Sequence, residues 1–387
     1  MADALVKTLL EESDPTRIIR IGTATVYLDR LADSREPSWR MVFQGRRGGP
    51  PRRHIGALMH LCLDDYLTGR WDEAEYLARE GQTVCDSAGF PFFAWYFRYN
   101  RALIAAGRGR FAEANSLADE ITHWALPRGV SAAALFARQP WALAAQGQGD
   151  FEAAFHHAAA MSPPGTLASH APHCTWAMFD LVEAAMRTGR VPEARAHVEA
   201  MRAADVAALS PRMALILAGA EALVSDEDEV SARVEAMLAD PETQRWQFES
   251  SRVRLTYGEK LRRTAPPVRA RPYLIAARDG FAAMNAEPWV ERARNELRAT
   301  GYRQRDLPTT SGPEALTAQE AQIARLAARG LTNKQIGERL YLSHRTVGAH
   351  LYRTFPKLGV TSRAGLTAAL TRLPDPGERP ADDGHSR

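Results

Sequence analysis

The stretch Leu316–Leu370, LTAQEAQIARLAARGLTNKQIGERLYLSHRTVGAHLYRTFPKLGVTSRAGLTAAL, divides by its own punctuation into four short helices. Thr317 and Glu320 form a T-x-x-E capping box, in which each side chain satisfies a backbone N–H at a helix start. The helix that follows carries Ile323, Leu326 and Ala327 on one side, and Gly330 stops it. Thr332 and Gln335 repeat the device and open a helix running through Leu340. Ser343 caps the next, which carries Val347, Leu351 and Phe355; Ser362 caps the last, with Leu366, Ala369 and Leu370 on one side. A couple of residues join the middle two helices, the spacing of a helix-turn-helix. Pro356 predicts a stop or kink near the end of the third helix.

Charge supports the same reading. From Glu314 to Arg372 there are nine Lys/Arg against three Asp/Glu, whereas the whole chain carries only +3. A small basic module suits a duplex, because each neutralised phosphate releases condensed counterions.

Upstream, the sequence repeats. Gly69-Arg70 precedes Trp71-Asp72-Glu73-Ala74, Gly109-Arg110 precedes Phe111-Ala112-Glu113-Ala114, Gly149-Asp150 precedes Phe151-Glu152-Ala153-Ala154, and Gly189-Arg190 precedes Val191-Pro192-Glu193-Ala194. The Gly, the large apolar residue and the final Ala recur every 40 residues. A helical pattern precedes each Gly (Ile55–Leu67, Phe93–Ala106, Ala132–Gln146, Thr175–Thr188) and another follows it. Gly accepts the positive φ of a tight helix end, and Ala lets paired helices approach. Helical hairpins in register make an α-solenoid. Two less regular hairpins follow, Ser210–Val224 with Val230–Ala239 and Gln244–Arg263 with Val268–Met284, and Pro288–Thr300 caps the stack.

The expected organisation is all-α: a helical and turn-rich segment at 1–53, the repeat domain at 54–300, a polar linker at 301–315, the four-helix module at 316–372 and a disordered tail at 373–387. Within the first segment, Ile18–Leu31 reads as one helix and Gln44–His54 as a loop. The four arginines of that loop read either as a second anionic contact or as a solvated linker. A chain of 387 residues, 45% hydrophobic and 25% charged, has ordinary globular composition. Cys62, Cys85 and Cys174 are odd in number and scattered, which argues against a disulfide framework. Neither a signal-peptide pattern nor an apolar run of membrane length is present, so a cytoplasmic protein without a membrane partner is expected.

The C-terminal stretch resembles the LuxR-type (NarL/FixJ-like) DNA-binding domain. The matching residues are Leu316-Thr317, Glu320, Gly330 to Ile336, Leu340, Leu342-Ser343, Thr346-Val347, His350, Lys357 to Val360 and Ser362-Arg363. Where that family usually has Lys after the Thr-Val pair, this chain has Gly348. The repeat region resembles tetratricopeptide (TPR) repeats, although 40 residues exceeds their usual length of about 34. The phrases Arg187–Met201, Ser210–Leu215 and Pro288–Gly301 look like the C-terminal half of the large ATP-binding LuxR regulators. No G-x-x-x-x-G-K-[ST] string occurs, so their ATP-gated switch is not carried over and no cofactor is expected.

The resemblance implies a sequence-specific transcriptional regulator acting on double-stranded DNA. The helix from Ser343 would enter the major groove, with Arg345, Thr346, Val347 and His350 towards bases or backbone. Lys334 would meet phosphate, with Thr332 and Asn333 beside it as further DNA-binding candidates, and Arg353 and Lys357 would extend the phosphate contacts. The last helix would make a homodimer on DNA, with Leu366 and Ala369 as its apolar contacts. RNA polymerase is a candidate partner, and the solenoid would offer a concave surface to a protein or small effector. Its groove-facing candidates are Trp95 and Tyr99, from the aromatic run Phe90–Phe97, in which Phe93, Phe97 and Ile104 share a core-type face. His170, His173 and Cys174 lack a regularly spaced fourth donor, so no metal is expected. No nucleophile–base motif is found, so no catalytic residue is assigned. The alternative is a TPR-like interaction scaffold with a degenerate DNA-binding module, and Gly348 is its best support. Operator, effector and direction of control are not encoded legibly.

Overall fold

The structure is a computed structural model that describes residues 12, 14–167, 172–225, 227–302, 316, 318–340, 342–360 and 362–370. Among these residues every regular element is helical. The chain divides into two compact units, one through Arg303 and one from Gln304.

The first unit contains α1 (Pro15–Tyr27), α2 (Arg35–Arg46), α3 (Pro51–Leu67), α4 (Trp71–Ala88), α5 (Pro91–Gly107), α6 (Phe111–Ala125), α7 (Ser131–Phe136), α8 (Arg138–Gln148) and α9 (Phe151–Met161). It continues with α10 (Pro172–Trp176), α11 (Met178–Arg187), α12 (Val191–Ala203), α13 (Pro211–Val224), α14 (Asp228–Ala239), α15 (Pro241–Gln244), α16 (Gln247–Thr264), α17 (Pro267–Ala283) and α18 (Glu287–Ala299). The hairpins read from the sequence are present. The N-terminal reading needs correction. α1 ends at Tyr27, and α2 occupies the first residues of the expected Gln44–His54 loop, leaving only 47–50 as the connection. Pro37 and the run Gln44–Pro51 hid α2, whose Trp39 and Val42 are fully buried.

Four turns share one geometry. Gly69, Gly109, Gly149 and Gly189 lie at φ of +77°, +79°, +80° and +77°. The next residue in each case returns its N–H to the carbonyl five residues earlier, Arg70 to Asp65, Arg110 to Ala105, Asp150 to Ala145 and Arg190 to Ala185, at 2.8–2.9 Å. This is the Schellman closure, which satisfies orphan carbonyls at a helix end and needs a left-handed residue before the donor. Ala74, Ala114, Ala154 and Ala194 then bury completely where the paired helices touch. Trp71 is buried as well, and its indole N–H donates to the Tyr66 carbonyl at 3.0 Å.

The stack returns to its beginning. A Cβ on Gly69 would meet Gln247 at 2.7 Å and Met284 at 3.1 Å; one on Gly109 would meet Pro288 at 2.9 Å. Trp71 lies 5.1 Å from Phe248, and Arg108 Nε donates to the Met284 carbonyl at 3.3 Å. Asp29, just after α1, accepts from Ser210 Oγ at 2.7 Å and from Arg212 Nε at 3.2 Å. The last hairpins therefore pack on the turns of the first.

Closure changes the expected concave groove. Its inner face is filled by the chain's own charges and rings. Arg212 is 1% exposed, bonds Asp29 and Glu249, and lies between the rings of Trp176 and Trp246. Arg252 bonds Asp180 at 2.5 Å and Glu183 at 2.9 Å beneath Phe179 and Phe248. Arg292 joins Glu183 to Glu259, 2.7 Å from each. Buried ions need such compensation, because removing one partner strands the other without water. Burial alone would raise the Glu183 carboxyl, but Arg292 and Arg252 hold it at about 2. Burial wins at Asp180, whose carboxyl is pushed up despite Arg252. Between these groups remains a cavity of about 30 Å³, lined in part by Tyr66, Gln139, Trp176 and Phe248. At roughly 10–15 Å³ per water, it has room for water but not for an organic effector.

The groove candidates are corrected accordingly. Tyr99 is fully buried and donates its hydroxyl to Gln139, so it is a core residue. Trp95 is half-buried against Phe136, with ring centroids 5.2 Å apart. Phe97 and Ile104 are fully buried, as the helical face implied. Cys174 donates its thiol to the Met161 carbonyl. His170 and the side chain of His173 lie outside the described residues.

Candidate DNA-binding surface

The second unit is built from α19 (Ala318–Ala328), α20 (Asn333–Leu340), α21 (His344–Lys357) and α22 (Leu366–Leu370). Its core is small: Ile323, Ala324, Leu326, Ala327, Ile336, Leu342, Val347, Leu351 and Leu366. α19 ends at Ala328, and Gly330, at φ +86°, lets the chain turn after it. The box opening α20 forms as read: Thr332 N–H donates to Gln335 Oε1 at 2.8 Å, and Gln335 N–H donates to Thr332 Oγ1 at 3.3 Å. Ser343 Oγ accepts from Thr346 N–H at 3.0 Å and so caps α21. The other expected box rests on Thr317, which lies outside the described residues.

One residue that makes the turn was not read from the sequence. A Cβ on Gly337 would lie 2.5 Å from the Leu342 carbonyl oxygen, so α20 and the turn into α21 touch backbone to backbone. The Leu342 N–H closes that contact on the Gly337 carbonyl at 2.8 Å. α21 runs to Lys357, one residue past Pro356, and Gly359 (φ +65°) follows.

The expected DNA residues separate into two groups. Lys334 and Arg345 are exposed, and neither has an ion-pair partner among the described residues. His350, Arg353 and Asn333 are half-buried beside them. Thr332 is exposed, with its hydroxyl in the α20 box. The other group faces inward. Val347 is fully buried, Ser343 and Thr346 are buried and share a hydroxyl contact of 2.9 Å, and none of the three can reach a base edge without unpacking. Lys357 is committed to Glu320, with Nζ 2.7 and 2.9 Å from its carboxylate oxygens. Leu366 is fully buried in the module core, so it is a packing residue and not a dimer contact; Ala369 remains half-buried.

The structure adds Tyr352. It is 79% exposed on α21, two turns beyond Arg345, with Gly348 between them on the same side. Its signal in the sequence was the break in apolar spacing: Val347, Leu351 and Phe355 mark the inner stripe, and 345, 348 and 352 fall opposite. Gly348 leaves an opening there. A Cβ at that position would meet only Asn333 Nδ2, at 3.4 Å, and Arg363 fixes that carboxamide through a 2.8 Å bond to Asn333 Oδ1. The outward surface is thus a cationic, hydrogen-bonding strip on α20 and α21 over an apolar base.

Known proteins match the chain in these same places. Residues 314–370 match the family described as bacterial regulatory proteins, luxR family. Residues 95–120 and 175–200 match the tetratricopeptide repeat. The HTH-type transcriptional regulator Mb0914c of Mycobacterium bovis is 42% identical over 62 residues, covering 16% of this chain and 7% of that protein. The DNA-binding transcriptional activator DevR/DosR of Mycobacterium tuberculosis is 40% identical over 69 residues, 18% of this chain and 31% of its own. The transcriptional regulatory protein LiaR of Bacillus subtilis is 44% identical over 50 residues, 13% of this chain and 24% of its own. The matches thus span less than a third of each of these three relatives. The C-terminal unit is a LuxR-type helix-turn-helix, and the repeat unit upstream is TPR-like.

Proposed function

We propose that the chain is a sequence-specific, DNA-binding transcriptional regulator whose TPR-like unit governs the use of the C-terminal module. The observation that carries this reading is the outward strip of Lys334, Arg345 and Tyr352 on a capped helix-turn-helix of the luxR family. α21 enters the major groove. Arg345 reads base edges, Lys334 meets phosphate, and Tyr352 reaches a base or the backbone two turns further on. The protein works in the cytoplasm as a homodimer on an inverted repeat, with RNA polymerase as its downstream partner. Gly348 favours the second reading, a scaffold whose module has lost selective binding.

Selection of duplexes from a random-sequence pool with the full chain separates the two. Enrichment of a defined motif supports the regulator, and an unenriched pool supports the scaffold. On the enriched motif, Arg345→Ala should relax discrimination at one base position by about 1–3 kcal/mol. Lys334→Ala should weaken all sequences alike and lower the salt slope by about 1. Equal losses from both on every sequence would overturn the division of roles.

A further inference from the structure

Most arginines of the repeat unit that approach its interior meet carboxylates. One surface stretch carries several that do not. From Pro37 to Leu63 the chain has five arginines and no Asp or Glu. Arg46 ends α2 and takes Glu80 through two bonds of 2.9 and 2.6 Å, and His54 lies 3.0 Å from the same carboxylate. The Glu80 carboxylate is therefore already occupied. The chain then turns through Gly48, at φ +91°, and enters α3 at Pro51. Arg47, Arg52 and Arg53 are exposed around this turn, and none has an ion-pair partner among the described residues.

α1 brings another cation to the same end. Ile19 lies against Gly56, and Thr23 Oγ1 is 3.2 Å from His60 Nε2, so α1 and α3 run side by side in parallel. Arg20, exposed and likewise without an ion-pair partner among the described residues, is then only about two turns along from Arg52 and Arg53. Four guanidinium groups without an ion-pair partner among the described residues thus lie towards one end of the unit. Among the described residues the surface between them has no apolar anchor, because the exposed large hydrophobic side chains are Tyr27, Phe92, Leu126, Leu209, Val268 and Tyr352, none of them within Pro37–His54. A stable protein interface draws its energy from such anchors. A surface of charge alone suits a polyanion, whose binding comes from counterion release and needs no pocket.

We infer that this end of the repeat unit, centred on Arg47, Arg52 and Arg53, is a second, sequence-independent contact for the phosphate backbone of duplex DNA. The inference rests on the DNA-binding reading above, since a chain already tethered to a duplex presents these arginines to it at high effective concentration. Guanidinium groups match phosphate oxygens in pairs.

The test uses the full chain and a mixed-sequence 60-bp duplex, with affinity measured by anisotropy over a series of salt concentrations. The variant Arg47→Ala/Arg52→Ala/Arg53→Ala should lower the slope of log K against log salt by up to about 2.7, three contacts at about 0.9 each. Its thermal midpoint should be unchanged, because all three side chains lie on the surface. The charge-preserving triple Arg47→Lys/Arg52→Lys/Arg53→Lys should keep the wild-type slope. An unchanged slope in the alanine variant overturns the proposal. So does a glutamate-rich peptide of equal charge that binds wild type more tightly than the duplex and is lost with the same three arginines, since the partner is then an acidic polypeptide. Lys334→Ala keeps the two readings apart: its slope falls only if the module binds DNA, whatever the triple variant does.

Discussion

The interior of the repeat unit and the surface of the C-terminal unit use arginine in opposite ways. In the repeat unit, Arg212, Arg252 and Arg292 lie among carboxylates and aromatic rings, and Arg35 and Arg70 hold Asp64 and Asp65. In the C-terminal unit, Arg325, Arg329, Arg339 and Arg345 are exposed, without ion-pair partners among the described residues. The interior arginines are the means by which a 40-residue repeat closes on itself, since Asp29 and Arg212 are 183 residues apart in sequence. The outer arginines make no ion pair among the described residues and so are open to an external anion. Removing one of each kind should therefore affect different quantities.

The largest effect is expected inside. Arg252→Ala leaves Asp180 and Glu183 without their shared partner, and a broken buried pair costs about 3–5 kcal/mol. Urea unfolding of the full chain at neutral pH measures this; a loss under 1 kcal/mol would mean that water reaches the site. The pH dependence has a definite sign. Glu183 is held at about 2, below its unfolded value, so its stabilising contribution is complete above the ordinary carboxylate range. That contribution is lost as pH falls from the ordinary range towards about 2. Asp180, pushed up by burial, opposes it in part. The gap between wild type and Arg252→Ala should accordingly narrow in acid.

The same contrast explains what the sequence made legible. Local devices were readable because their chemistry lies within a few residues. The Gly of each repeat turn, the Thr332–Gln335 box and the Ser343 cap all appear where spacing placed them. Closure of the stack was not readable, because it joins residues such as Gly69 and Gln247 whose proximity no periodicity encodes. Tyr99 was misassigned for that reason: its partner Gln139 is one repeat away, and a groove was expected where the protein is packed. In the C-terminal unit the inner stripe was legible but its two faces were not cleanly divided. Val347 and Leu366 were given contact roles that their burial excludes, and Tyr352 was passed over.

Leu366 gives the next test. As a fully buried residue in a core of few side chains, Leu366→Ala should destabilise the C-terminal unit by about 2–5 kcal/mol. Unfolding followed by exchange of the α19–α22 amides should show the loss at every protein concentration. A loss confined to high concentration, with unaltered stability when dilute, would restore Leu366 to a subunit contact and reverse the assignment made from its burial.

The smallest effect concerns Gly348, where the two uses of side chains meet. Its backbone has no positive φ, and the space above it is open except for Asn333 Nδ2 at 3.4 Å. Gly within a helix loses about 0.5–1 kcal/mol against Ala through backbone entropy, so Gly348→Ala should stabilise α21 by about that amount. Gly348→Lys should keep part of this gain and add a cation between Arg345 and Tyr352, raising the salt slope by about 1. If the lysine variant binds DNA with an unchanged slope, then the 345–348–352 face does not meet the backbone. The outward arginine at 345 would then lack the polyanion that its contrast with the buried arginines implies. If the alanine variant is instead destabilised, the Asn333 carboxamide cannot yield. The glycine is then required by the Arg363–Asn333 contact of the fold, and its departure from the usual lysine says nothing about the choice of DNA sequence.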